Sequence, residues 1–117
     1  MSKILIVDDD MINRKLLNVL LKKNGYETVE AGNGMEALTI IKQDHIDMVL
    51  LDVFMPIMDG IDLLKVLKQD ETLKHIPVAI LTTDDTKKAE ALSLGACEVL
   101  IKPIKEDQLK TLLAANL

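Results

Sequence analysis

Asp8, Asp9 and Asp10 follow directly on Ile4-Leu5-Ile6-Val7, and Asp52 follows Met48-Val49-Leu50-Leu51. Thr82 and Thr83 follow Val78-Ala79-Ile80-Leu81, and Lys102-Pro103 follows Val99-Leu100-Ile101. Short runs of branched apolar residues bounded by polar ones read as buried strands. If those strands are parallel, their carboxyl ends share one sheet edge, where open α/β folds place their sites. Carboxylates, hydroxyls and an amine would then meet from four separate stretches of chain.

Each of these residues also has an ordinary explanation. Acids after a strand often serve as turn and helix-capping residues. A cap needs only one acid, however, and Asp52 lies between Leu51 and Val53, where an unpaired charge is costly. A hard cation shared by Asp9 and Asp52, with Asp8 holding it through water, resolves both problems. Mg²⁺ suits one or two carboxylates and keeps waters and phosphate oxygens as its other ligands. Calcium-loop spacing is absent, and zinc would want His or Cys. Lys102 is placed to balance the acids or to neutralise a bound phosphoryl group, and the Thr82 hydroxyl to donate to a phosphoryl oxygen. The alternative is a solvated lysine and a strand-ending threonine.

Between the strands the period is helical. Ile12, Leu16, Leu17, Leu20 and Leu21 form one stripe, closed by Gly25 as a left-handed cap. Asn33 starts a second helix with Ala37, Leu38 and Ile41 on one face. A third shows Ile61, Leu64 and Leu67, and a fourth, roughly Asp84 to Leu94, offers Ala89 and Leu92. The last shows Leu109, Leu112 and Leu113. The alternating segment 26–31 reads as an edge strand. Five strands each followed by a helix imply right-handed crossovers and a doubly wound, five-stranded parallel α/β sheet, one domain over residues 1–117.

Composition narrows the function. A net charge of −5 and only two aromatic residues, Tyr26 and Phe54, argue against direct nucleic-acid binding. No apolar stretch reaches membrane-spanning length. One cysteine, Cys97, permits no internal disulfide, and no signal peptide precedes Ile4, so a cytoplasmic location is expected. Gly32-Asn33-Gly34 lacks the third glycine of a dinucleotide loop and reads as a turn and cap. His45 and His75 read as surface residues.

Taken in order, Ile4 to Asp10, Leu50-Leu51-Asp52, Met55-Pro56-Ile57-Met58-Asp59-Gly60, Leu81-Thr82, Gly95-Ala96 and Lys102-Pro103 resemble the receiver domain of two-component response regulators. The resemblance spans the whole chain and implies the flavodoxin-like (βα)5 strand order 2-1-3-4-5. It implies that Asp52 is the phosphoacceptor, taking a phosphoryl group from a phosphohistidine on a histidine kinase or histidine phosphotransfer protein. It further implies that Asp8, Asp9, Asp52 and the backbone carbonyl of Phe54 hold Mg²⁺, while Thr82, Thr83 and Lys102 meet the phosphoryl oxygens. Such a domain is a signalling element that assists only its own phosphorylation and dephosphorylation. Its output would pass through the fourth helix, fifth strand and fifth helix, to a homodimer or to an output domain or effector beyond this chain. No such effector follows Leu117, so the sequence reads as a stand-alone regulator or an excised receiver.

Four positions depart from the usual pattern. Val99 stands where receivers commonly carry Tyr or Phe, so the switch through Thr82, Val99 and Lys102 would lack its aromatic relay. Thr83 replaces a smaller residue, and Phe54 and Asp84 occupy positions that tune dephosphorylation. Two other readings use the same residues. An aspartate-nucleophile phosphatase would place its nucleophile after the first strand and needs a substrate-covering segment. A nonphosphorylated scaffold would not require Asp52, Thr82 and Lys102 together. A flavin-binding fold is disfavoured because the acidic first loop would repel the cofactor phosphate.

Overall fold

The computed structural model describes residues 2–55 and 57–117. Five parallel strands, β1 (Lys3–Val7), β2 (Glu27–Ala31), β3 (Met48–Asp52), β4 (Val78–Thr82) and β5 (Glu98–Ile101), form one sheet in the order β2-β1-β3-β4-β5. Five helices alternate with them: α1 (Met11–Lys23), α2 (Gly34–Gln43), α3 (Gly60–Gln69), α4 (Lys88–Ser93) and α5 (Glu106–Asn116). Pro56, within the resembling loop, lies outside the described residues.

Strand alternation divides the core in two. Leu5, Val7, Val49, Leu51, Val78, Ile80 and Val99 face one side, against residues of α2, α3 and α4. Ile4, Ile6, Met48, Leu50, Ala79 and Leu81 face the other, against Leu17 and Leu21 of α1 and Leu109, Leu112 and Leu113 of α5. Central strands buried on both faces explain the unbroken apolar runs, and the half-exposed β2 explains its alternation.

The N-terminal cap expected of Asn33 forms, and α1 and α3 are capped in the same way. Asp10 accepts from the N–H groups of Ile12 and Asn13, Asn33 from that of Glu36, and Asp59 from that of Asp62. Gly25 follows α1 at φ +89°, the left-handed conformation expected of it.

Two helical faces differ from the sequence expectation. On α1 only Leu17 and Leu21 are buried, with Leu20 packed partly against the core. Ile12 and Leu16 are 68% and 61% exposed, and Met11 and Val19 are exposed beside them. The apolar positions sweep more than half the helix circumference, and the sheet covers only part of that arc. On the fourth helix Ala89 and Leu92 point outward, and Ala91 is the buried residue. The chain enters through a 3-10 turn, Asp85–Lys87, which shifts the phase of the α-helical turn that follows.

Candidate functional site

The site is assembled by register. Val7 pairs with Leu51, so the next residues, Asp8 and Asp52, lie side by side at the ends of β1 and β3. Asp52 pairs with Leu81, and Thr82 pairs with Ile101, which puts Thr82 and Lys102 at the same edge. The Lys102 N–H donates to the Thr82 carbonyl at 2.7 Å, tying β5 to the end of β4. The Lys102–Pro103 peptide is cis.

Carboxylate oxygens of Asp8, Asp9 and Asp52 lie within 4.8 Å of one another. Lys102 Nζ stands 3.1 Å from Asp8 Oδ2 and 3.6 Å from Asp52 Oδ1. Asp8 is 3% and Asp52 9% exposed, while Asp9 is open to solvent. Three carboxylates against one ammonium leave an excess of two negative charges in a partly dry place. Burial pushes the Asp52 carboxyl above its ordinary value; Lys102 opposes this, and Asp8 and Asp9 add to it. An all-oxygen donor set with surplus negative charge fits a hard divalent ion, and no His or Cys belongs to the cluster.

Asp10 points elsewhere: its Oδ1 caps α1, and its own N–H donates to Asp8 Oδ1 at 2.9 Å. Thr82 is fully buried, and its Oγ1 accepts the Asp84 N–H at 3.1 Å. Thr83 is exposed and lines a groove against α1 together with Lys102. The ring of Phe54 is 52% exposed, just beyond β3. The Asp84 carboxylate accepts from Thr86, which holds it below the usual carboxylate range and commits it to capping the 3-10 turn. Val99 is buried in the core and takes no part in the edge cluster.

Two features were missed from the sequence. One is Arg14, whose Nη1 donates to the Asp8 carbonyl at 2.6 Å; a lone arginine on a helix gives no sequence signal. The other is the uncovered apolar side of α1, whose signal was present in a stripe too wide for one core contact.

Comparison with known proteins agrees with this geometry. The family model for the response regulator receiver domain matches residues 4–114. The polar-differentiation response regulator DivK of Brucella ovis is 40% identical over 105 residues, which is 88% of this chain and 85% of DivK. The chemotaxis protein CheY4 of Vibrio cholerae superposes with a TM-score of 0.92 at 34% identity, covering 100% of this chain and 99% of CheY4. The response regulator TrrA of Thermotoga maritima, solved in complex with Mg²⁺ and BeF, gives a TM-score of 0.92 at 32% identity over 100% of both chains. Receiver domains are signalling domains rather than classical enzymes, and among the described residues no helix is long and apolar enough to cross a membrane. The chain belongs to the response regulator receiver domains, the phosphoacceptor signalling domains of two-component systems.

Proposed function

We propose that Asp52 is the phosphoacceptor of this receiver and that Asp8, Asp9, Asp52 and the Phe54 carbonyl hold Mg²⁺ beside it. The observation that carries this reading is the meeting of three carboxylates within 4.8 Å under the Lys102 ammonium, at the carboxyl edge of the sheet. In the transfer, a carboxylate oxygen of Asp52 forms a bond to phosphorus as the phosphorus–nitrogen bond of a phosphohistidine breaks, and the electron pair stays on the imidazole. The transition state spreads charge over the equatorial oxygens, so positioning and cationic stabilisation supply most of the catalysis. Lys102 supplies one cation, hydrogen-bonded to Asp8 and 3.6 Å from Asp52, and Mg²⁺, when bound, would supply further neutralisation of that charge. Thr82 and Thr83 serve as hydroxyl donors to the phosphoryl oxygens. For Thr82 this means redirecting a group that already accepts the Asp84 N–H, which couples the acceptor to the entry of α4.

The phosphodonor approaches over α1. Met11, Ile12, Leu16 and Val19 present an apolar strip, and Leu16 and Val19 line a groove of about 620 Å³ that reaches Thr83 and Lys102. A helix of a histidine kinase or histidine phosphotransfer protein laid on this strip would bring its phosphohistidine to the site, as helix-in-groove recognition does elsewhere. Leu16→Glu should lower phosphotransfer from a phosphorylated histidine kinase at least tenfold and leave labelling by acetyl phosphate unchanged. Phosphotransfer from the kinase at the native rate, or an equal fractional loss with both donors, would rule out this approach. We further assign the whole chain, 1–117, to one cytoplasmic receiver. Its changes would be read out by a homodimer, output domain or effector on α4, β5 and α5, with Thr82, Val99 and Lys102 as the switch.

Metal binding should depend on Asp9 far more than on Asp10. Asp9 contributes an oxygen to the cluster, whereas Asp10 spends its carboxylate on the α1 cap. Calorimetric titration should show Asp9→Ala losing Mg²⁺ affinity by well over tenfold and Asp10→Ala by less than threefold. Equal losses would place the metal elsewhere in the first loop.

A further inference from the structure

Arg14 lies outside the acid cluster, yet it holds the backbone from which that cluster is built. Its Nη1 donates to the Asp8 carbonyl at 2.6 Å, and its Nε donates to Glu30 Oε1 at 3.2 Å. The Asp8 N–H is held by the Ala31 carbonyl at 3.1 Å. The peptide group joining Asp8 to Asp9 is thereby fixed through its carbonyl, and Asp8 is fixed through its N–H. Glu30 is itself pinned: its other oxygen accepts from Lys15 at 2.8 Å and from Asn18 at 3.0 Å. The Arg14 and Glu30 side chains are only 17% and 19% exposed, so neither swings freely in solvent. Two donors of one rigid planar group, held to two different acceptors, define an orientation that one ammonium cannot.

We infer that Arg14, braced by Glu30, is a positioning residue for Mg²⁺ binding, orienting the Asp8–Asp9 peptide so that the exposed Asp9 carboxylate stays with those of Asp8 and Asp52. The inference rests on the proposed Mg²⁺ site and adds to it a second layer that reaches from the edge strand β2. Groups behind metal ligands commonly tune affinity ten- to a hundredfold.

The sign of the effect separates positioning from charge. Arg14 is a cation near an acid cluster, so on charge alone its removal would tighten Mg²⁺. Positioning requires the opposite. Calorimetric Mg²⁺ titration should show Arg14→Met binding roughly tenfold more weakly than the native chain. Arg14→Lys should recover little of that loss. Lys22→Met, which removes the same charge from an exposed position of the same helix and leaves Glu30 braced, should bind unchanged or slightly tighter. In chelator, hydrogen exchange at the Asp9 amide should accelerate in Arg14→Met while amides of the central strand β3 keep their protection. Glu30→Gln, which keeps the packing, should also lose affinity, by less; because charge alone predicts that sign too, faster exchange at its Asp9 amide in chelator decides the matter if Arg14→Met does not fold. Unchanged or tighter Mg²⁺ binding in Arg14→Met, or full rescue by Arg14→Lys, overturns the positioning role. Undiminished binding in Asp9→Asn overturns the site itself, so the two failures are distinguishable.

Discussion

Asp52→Asn should take up no phosphoryl group from acetyl phosphate and Mg²⁺, where the native chain gains one by intact mass. It should also melt higher than the native chain in chelator. Both expectations come from one carboxylate that is 9% exposed and faces two others. The amide keeps the shape and removes the nucleophile, so loss of labelling should be complete; residual labelling would mean another acceptor. The stability gain follows from linkage. Burial raises the Asp52 carboxyl above its unfolded value. The folded chain therefore binds the extra proton, and this group's penalty is fully present above the folded value. The penalty is relieved as pH falls through that raised value toward the ordinary carboxylate range near 3.9. At neutral pH the variant should gain on the order of 1 kcal/mol, or roughly 3–5 °C. The gap should close on acidification. A variant that melts below the native chain in chelator at neutral pH would contradict this account.

Gly60→Ala should be the most damaging of the small substitutions. A Cβ at position 60 would overlap the Asp52 carbonyl oxygen and lie 2.9 Å from Val53 Cα, both backbone atoms that no side-chain rotation can clear. The N–H of Gly60 also donates to the Val53 carbonyl at 2.8 Å, which locks the start of α3 to the strand end carrying the proposed acceptor. Relief requires α3 to move away from β3, so the cost should be about 3 kcal/mol or more. Phosphorylation should slow as well, because the moved backbone belongs to Asp52. Gly25→Ala is the comparison: nothing lies within 4 Å of its Cβ, and only the positive φ of +89° is strained, at about 1 kcal/mol. Urea denaturation of both checks the order; equal losses would mean that the close approach at Gly60 relaxes without cost.

The acid cluster was legible because each member stands where an apolar run stops, and parallel register converts those stops into one edge. Asp8, Asp52, Thr82 and Lys102 needed only strand order to meet. One helix start was legible for the same local reason, since Asn33 caps α2 with its own side chain; Asp59 caps α3 by the same chemistry but was not read as a cap. What the sequence concealed was set by tertiary coverage. Ile12 and Leu16 carry the same apolar signal as Leu17 and Leu21, and only the packed sheet shows which pair it covers. Ala89, Ala91 and Leu92 differ by one or two positions, and a 3-10 turn upstream decided which of them turned inward. Arg14 was invisible because its partners are 6 and 16 residues away, Asp8 just past β1 and Glu30 on β2.

The short α4 has a consequence for the energy scale on which this domain can respond. It spans six residues, buries one alanine, and follows Lys87, which makes no side-chain capping bond to it. A segment with so few buried contacts opens at a free energy well below that of global unfolding. Its arrangements are therefore separated by little, and an influence of about 1.4 kcal/mol suffices to change their ratio tenfold. Thr82 joins this weakly held segment to β4, whose five residues are all buried. The domain thus pairs a rigid frame at the proposed acceptor with an adjoining element whose populations a single covalent charge would reset.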